Sequence, residues 1–225
     1  ICHKQAISAT YSELGYRIPV VDNGKCINCG LCAKVCRETS TLPKSSTSDA
    51  FIAYNTNDNM RLQSASGGVF SGLAKSFIEQ GGIVVGSSLS FENGEVTVKH
   101  IAVDNEKDLL LLLGSKYVES DCSNVYYTIE NYLKNDTSVL FCGTSCQVKA
   151  LYHYLEVRHI STNTLFTIDL ICHGVPGIKL LRDYLGEIGF DQKNISNLKF
   201  RSKYNGVISF QFSGKTDNSD DMTIP

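Results

Sequence analysis

The chain has 225 residues, 42% hydrophobic and 20% charged, which is enough apolar content for a core and too little charge for general disorder. Its net charge of −2 gives no footing for bulk nucleic-acid binding or for attachment to a membrane surface. The longest apolar run, Leu109 to Leu113, falls far short of the roughly 20 residues of a membrane span, and the length fits one or two domains.

Residues 1–40 are rich in cysteine and in turns. Arg17 to Val21 reads as a short strand, and Asp22-Asn23-Gly24 as a turn. Residues 41–65 have the composition of a linker, with Pro43, Ser45 to Ser48 and Asn55-Thr56-Asn57-Asp58-Asn59; Phe51 to Tyr54 is expected as a short strand within it. From Ser66 the texture changes. Val69, Phe70, Leu73, Ala74, Phe77 and Ile78 make one apolar helical face, closed by Gly81-Gly82. Ile83 to Gly86 is an apolar strand. Asn93-Gly94 is expected to close a hairpin onto Glu95–Val103, where Val96, Val98, His100 and Ala102 alternate with more polar neighbours. A Leu-rich helix follows from Asp104, and another is marked by Val125, Ile129, Tyr132 and Leu133. Ser138 to Cys142 is a buried-type strand leading through Gly143-Thr144 to a helix ending near Leu155. Leu165 to Ile171 is a second apolar strand, followed by a helix over about 178–188. Asn205-Gly206 between Leu198–Arg201 and Ile208–Phe212 predicts a terminal hairpin. The fold class is α/β (or α+β) with some parallel pairing, preceded by a small cysteine-rich segment.

The nine cysteines are too few for a disulfide scaffold, and five lie within the first 36 residues, so they read as ligands in a reducing, cytoplasmic compartment. Cys26, Cys29, Cys32 and Cys36 have the spacing C-x2-C-x2-C-x3-C, the bacterial ferredoxin run that holds a [4Fe–4S] cluster. Structural zinc is the competing reading, but zinc sites pair two C-x2-C arms across a longer spacer. Arg37 replaces the proline that usually follows the run. In two-cluster ferredoxins the fourth cysteine serves the other cluster. Cys2-His3-Lys4-Gln5-Ala6-Ile7 looks like the tail of a preceding motif. Cys2 is therefore expected to join Cys26, Cys29 and Cys32, with Cys36 turned towards a second site; a frayed thiol is the alternative for Cys2. The start at Ile1 and the stop at Pro225, where a strand-like region is ending, read as a fragment lacking both ends.

Three stretches sit where α/β folds place ligands. Ser66-Gly67-Gly68 stands at a helix start, where free amides can meet a phosphate, although Ser66 is equally a plain N-cap. Gly143-Thr144-Ser145-Cys146-Gln147 opens a helix after a strand without the lysine of a Walker loop. Cys172-His173-Gly174-Val175-Pro176 ends another strand.

Taken in order, the ferredoxin run, Ser66 to Phe70, Gly114-Ser115-Lys116-Tyr117-Val118, Leu140 to Gln147 and Asp169 to Pro176 resemble the coenzyme F-420 hydrogenase/dehydrogenase beta-subunit family, iron–sulfur flavoproteins with a plant chlorophyll reductase among their relatives. The match covers most of residues 1–215; Ser145 stands where the family usually has proline, and a later cysteine-containing segment of the family is not present. The resemblance implies a ferredoxin-like domain (1–40), a linker (41–65) and a flavin-binding domain (66–225). It implies FAD held by Ser66, Gly67, Gly68, Lys116, Tyr117, Thr144, Cys146 and Gln147, with Lys116, Cys172 and His173 as catalytic candidates. It further implies a redox partner protein or a soluble carrier such as coenzyme F-420. Bland alternatives stand beside these. Lys116 is open to being a solvated charge and Tyr117 a core residue. Cys146 and Cys172 are open between buried hydrophobes and ligands of a further cluster. Cys122 and Cys142 read as structural, and His100, His153 and His159 as ordinary. An electron-transfer module without flavin chemistry is the competing function.

Overall fold

The computed structural model describes residues 1–36, 49–189, 195–204, 207–209, 212–216 and 221–224. The N-terminal segment is an antiparallel hairpin of β1 (Ile7–Tyr11) and β2 (Arg17–Val21), in register from Ile7↔Val21 to Tyr11↔Arg17. The expected turn follows: the Asp22 carboxylate accepts from Gly24 N–H at 2.9 Å, and its carbonyl accepts from Cys26 N–H at 2.9 Å. The cysteine loop then leads into one short helix, α1 (Leu31–Val35). No sequence pattern announces β1, because Ser8, Ala9 and Thr10 show no apolar alternation; the strand exists by pairing with β2.

The first part of the expected linker, including Pro43 and Ser45 to Ser48, lies outside the described residues. Phe51 to Tyr54 is not a strand: no neighbour among the described residues pairs with it, and Phe51 and Ile52 are fully exposed. Asn57, read as linker, instead accepts from Met60 N–H at 3.1 Å and caps α2 (Asp58–Gln63).

The body is built on a four-stranded sheet of β3 (Ile83–Glu92), β4 (Glu95–Val103), β5 (Val139–Thr144) and β6 (Leu165–Leu170), in the order β4-β3-β5-β6. β3, β5 and β6 are parallel and β4 is antiparallel, turned by Asn93-Gly94, both with positive φ as a two-residue hairpin turn requires. Successive side chains leave the strands on opposite faces. Val84, Val103 and Leu140 pack under α3 (Val69–Glu79) and α4 (Glu106–Leu112). Ile83, Val85, Val139 and Phe141 pack under α5 (Val125–Lys134) and α6 (Ser145–Val157). α7 (Ile178–Glu187) covers Val96 and Val98 at the far end of the hairpin. The result is a three-layer α/β body joined to a ferredoxin-like segment. No described helix is long and apolar enough to cross a membrane.

The expected terminal hairpin differs in its pairing. β7 (Ile195–Lys199) pairs with β10 (Phe212–Thr216), which also pairs with β11 (Asp221–Ile224). The strands flanking Asn205-Gly206 are β8 (Ser202–Tyr204) and β9 (Val207–Ser209), nested between them; Asn205 and Gly206 lie outside the described residues.

The N-terminal segment is fixed to the body at two points. α1 packs on α6, with Val35 against the α5/α6 core. At the other end the β1–β2 turn meets the start of α7, where a Cβ on Gly15 would stand 2.4 Å from the Lys179 Cβ and one on Gly177 would stand 2.5 Å from the Leu14 carbonyl. Arg17 forms an ion pair with Asp121 and donates its backbone N–H to Glu119 at 3.2 Å, and Tyr16 donates its hydroxyl to the Val175 carbonyl at 3.3 Å.

Candidate functional site

The cysteine loop encloses a cavity of about 190 Å³. Cys2, Cys26, Cys29 and Cys32 all line it, together with Ala6, Ile7, Val21, Ile27 and Leu31; Cys36 does not. Asn28 and Gly30 adopt positive φ, 53° and 75°, which folds the loop back on itself between successive cysteines. The Cys2 sulfur accepts from Ala6 N–H at 3.3 Å. That backbone amide holds the Cys2 thiol below its ordinary range, against the opposing effect of burial, so the thiolate needed of a ligand is favoured. Cys36 is the exposed C-cap of α1.

Among the described residues, no three His, Cys, Asp or Glu side chains converge closely enough for a single metal ion. Four sulfurs on one tetrahedral zinc stand only about 3.8 Å apart, given zinc–sulfur bonds of about 2.3 Å. Four thiols lining one cavity of about 190 Å³ suit a cubane, in which each cysteine binds a different iron. The all-thiol donor set, the apolar wall and the amide aimed at Cys2 fit a [4Fe–4S] cluster.

The other candidates gather towards the carboxyl ends of the parallel strands. Thr144 pairs with Leu170, so Cys146 and Cys172 each lie two residues beyond the last pairing of neighbouring strands. Thr144 and Gln147 form a capping box at the start of α6, with the Gln147 side-chain carbonyl accepting from Thr144 N–H at 3.0 Å. Gly143 makes room for it: a Cβ there would stand 2.8 Å from the Phe141 ring and 3.1 Å from Gln147 Oε1. The Cys146 sulfur lies 3.0 Å from the Thr144 hydroxyl. Ser145 donates to Asp169 at 2.6 Å and so ties the end of β5 to that of β6.

α3 returns through Gly81-Gly82 into β3 and therefore runs antiparallel to it, which carries Ser66-Gly67-Gly68 to the same edge of the sheet. The N-cap is Gly68, at φ 72°, and not Ser66; no side-chain cap hydrogen bond is made at this helix start among the described residues. Gly67 O accepts from Asn55 N–H at 2.7 Å, and the Ser66 carbonyl accepts from Lys203 at 2.7 Å. An uncapped helix start with a lysine beside it fits an anionic group such as a flavin nucleotide phosphate.

Lys116 is neither a solvated charge nor a cation pointing into open space. Its ammonium donates to the carbonyls of Leu111, Leu112 and Leu113 at 3.2, 2.9 and 2.9 Å, closing the C-terminus of α4. Burial lowers its pKa to about 8, and nearby Cys142 opposes that shift. Tyr117 is exposed, edge-on to Phe200 at 5.9 Å, and its hydroxyl accepts from Arg201 at 3.4 Å, so it is not a core residue. Cys172 and His173 are exposed, and the Cys172 sulfur accepts from Gly174 N–H at 3.3 Å. Neither the cysteine-loop cavity nor a smaller one between β2, β4 and α7 is lined by Ser66, Lys116, Thr144 or His173.

Beneath this edge lies a network that motif reading alone misses. His100, on β4, is buried and stacked on Phe141 with ring centroids 5.3 Å apart. Its Nε2 lies 3.1 Å from the Cys142 carbonyl, and its Nδ1 lies 3.1 Å from Ser120 Oγ and 3.2 Å from Cys122 Sγ. Gln147 donates to Ser120 at 2.9 Å, and Tyr126 donates to the Gln147 carbonyl at 3.0 Å. Burial pushes the His100 pKa down to about 4 and those of Cys122 and Cys142 up to about 12, so all three are neutral near pH 7. The signal lies in the alternation Val96, Val98, His100, Ala102, which places the imidazole on the inward face.

Comparison with known proteins gives two family matches. Residues 19–38 match the 4Fe-4S binding domain, and residues 136–222 match the C-terminal region of the coenzyme F420 hydrogenase/dehydrogenase beta subunit. No curated protein matches the chain. Among solved structures, a chain of the F420-reducing [NiFe] hydrogenase complex from Methanosarcina barkeri shares the fold at a TM-score of 0.53 and 17% identity, over 76% of this chain. This chain spans 58% of the length of that one. The cysteine loop and the α/β body thus carry a 4Fe-4S binding segment over residues 19–38 ahead of a region, residues 136–222, that is similar to the C-terminal part of the coenzyme F420 hydrogenase/dehydrogenase beta subunit.

Proposed function

We propose that the chain is an iron–sulfur flavoprotein component of an oxidoreductase, passing electrons between [4Fe–4S] clusters and an FAD that exchanges hydride with a soluble carrier such as coenzyme F420. A cluster supplies single electrons, and a flavin stores two and releases them as hydride. The observation that carries the proposal is the convergence of Cys2, Cys26, Cys29 and Cys32 on one cavity, in a segment whose helix α1 packs directly on α6. α6 begins with Thr144, Cys146 and Gln147, so one helix joins the thiol loop to the edge where the cofactor candidates gather. At that edge the uncapped start of α3 would hold the nucleotide phosphates, while Thr144, Cys146, Cys172 and His173 stand at the strand ends. Clustered, ligand-type cysteines support a cytoplasmic location.

A second reading, an electron-transfer module with no flavin of its own, is favoured by Lys116, whose ammonium is committed to the α4 carbonyls. Anaerobic purification of the native protein, with iron, sulfide and flavin quantified together, separates the two. Stoichiometric flavin that is reduced after the clusters is the expected result. Reducible clusters without flavin would leave the electron-transfer module.

A further inference from the structure

We propose that His100 is a positioning residue: as the neutral tautomer protonated on Nε2, it orients the Gln147 amide through Ser120 and thereby sets the start of α6, where Thr144 and Cys146 stand. The proposal rests on the reading of that edge as the cofactor site, but its geometry stands on its own. The Cys142 carbonyl, 3.1 Å from Nε2, can only accept, so Nε2 must carry the proton. A neutral imidazole then has Nδ1 as an acceptor, and Ser120 Oγ, at 3.1 Å, donates to it. With its proton committed, Ser120 accepts at its lone pair, and the group that meets it is the Gln147 NH2 at 2.9 Å. The orientation of that amide is now fixed, because its other end, Oε1, must face Thr144 N–H at 3.0 Å. Reversal of the Gln147 amide would set an NH2 against the Thr144 N–H and a carbonyl against a hydroxyl already donating elsewhere. The chain therefore has a consistent direction, from Gln147 to Ser120 to His100 to Cys142, and it links β4 to β5 and to the α6 cap across β3. The groups facing the ring besides these are Phe141, stacked on it, Cys122 at 3.2 Å from Nδ1, and the charges of Lys116 and Asp121. Burial of the ring keeps it uncharged at neutral pH, as the direction of the chain requires.

The test uses the anaerobically purified protein with its clusters oxidised. Labelling with ¹⁵N-histidine should show His100 as a neutral ring protonated on Nε2. Hydrogen exchange should show the Thr144 amide protected in the wild type and about ten-fold less protected in His100→Phe, which keeps the stack on Phe141, with the rest of α6 unchanged. Ser120→Ala should reproduce that loss while leaving the imidazole in place, and His100→Gln, which carries a donor and an acceptor, should restore part of it. Flavin affinity should weaken about ten-fold in the same two variants, Phe and Ala. A ring protonated on Nδ1, or Thr144 protection unchanged in both His100→Phe and Ser120→Ala, would overturn the proposal even where flavin binds. If the wild type takes up no flavin but Thr144 responds as described, the positioning role stands and the flavoprotein reading falls.

Discussion

The thiol loop and the carboxyl edge of the sheet show two ways of building a site. In the loop, the ligand candidates at positions 26, 29 and 32 come from one short segment with the spacing of a ferredoxin run; Cys29 and Cys32 are exposed, and none of the three belongs to a core cluster among the described residues. At the edge, Ser66 to Gly68, Lys116, Thr144 to Gln147 and Cys172-His173 come from four separated segments, and several of them already serve the fold. Lys116 closes α4, Gln147 caps α6, and Gly143 clears space for the Gln147 amide. A residue with no structural task declares its chemistry by spacing, whereas one with such a task would keep its place with or without a cofactor.

Breaking the loop should have the largest effect. Cys29→Ser is expected to remove most of the brown absorbance and the reduced-state EPR signal while leaving the far-ultraviolet circular dichroism of the body intact; iron content equal to wild type would refute the cluster assignment. The same experiment sharpens the choice of fourth ligand. Cys2 lines the cavity and Cys36 does not, so Cys2→Ser should disturb the signal of this cluster and Cys36→Ser should spare it. The reverse order would make the four clustered cysteines a self-contained set.

The next largest effect should come from a residue whose work is wholly structural. Glu130 is fully buried on α5 and accepts from Tyr154 at 2.5 Å, Lys134 at 2.6 Å and Arg158 at 2.8 and 3.2 Å. Burial raises its pKa, but the hydrogen bonds from Arg158, Lys134 and Tyr154 outweigh it and bring the carboxyl to about 2. Glu130→Ala leaves the buried Tyr154 hydroxyl without its acceptor, while Lys134 and Arg158 stay partly solvated, and should cost about 1.5–3 kcal/mol in urea unfolding. The folded pKa lies below the unfolded one, so this stabilisation is present above the ordinary carboxylate range and is lost as pH falls towards about 2. Cluster content per folded molecule should not change; if it does, loop and body are not separable as described.

His100 gives a smaller, pH-dependent effect. Its folded pKa is about 4, against an ordinary value of 6.5, so the unfolded chain binds the extra proton first on acidification. Burial dominates, Lys116 adds to the depression, and the Cys142 carbonyl and Asp121 oppose it. Its contribution to stability should be complete above pH 6.5 and fall away between 6.5 and about 4. The unfolding midpoint of His100→Phe should lack that part of the slope.

Much of the body is legible in the sequence because its elements obey simple periods. The α3 face, the Asn93-Gly94 hairpin and the parallel strands β5 and β6 each lie within a few residues of where their patterns put them, although only β5 is buried along its length and β6 exposes Phe166 and Leu170. What is not legible depends on partners distant in sequence. β1 is a strand only because β2 lies beside it, and Phe51 to Tyr54 has strand-like residues but no pairing partner among the described residues. The outer hairpin near residue 200 is nested because β7 finds β10 and not its nearest neighbour. At the site, spacing reveals cysteine ligands, but no spacing reveals that Lys116 would meet three carbonyls or that His100 would meet Ser120.

The smallest effect concerns Ser145, which stands where the family that the sequence resembles usually has proline. Ser145 is the first residue of α6, preceded by Thr144 at φ −73° and ψ 159°, a conformation that suits the residue before proline. Ser145→Pro would lose the bond to Asp169 and gain backbone rigidity, so stability in urea should move by less than about 1 kcal/mol. A larger loss would show that the tie between β5 and β6 holds the edge together.

The two-point attachment of the thiol hairpin, with α1 on α6 and the Gly15 turn against Gly177, has a kinetic meaning. An arm anchored at one end can swing a redox centre between donor and acceptor, and its transfer rate then follows solvent viscosity. An arm clasped at both ends holds its centre at one tunnelling distance. If the body holds the proposed flavin, transfer between it and the hairpin should therefore ignore added glycerol, while exchange with a freely diffusing carrier slows in proportion to it. A viscosity-dependent internal step would mean that the clasp at Gly15 and Gly177 opens during turnover.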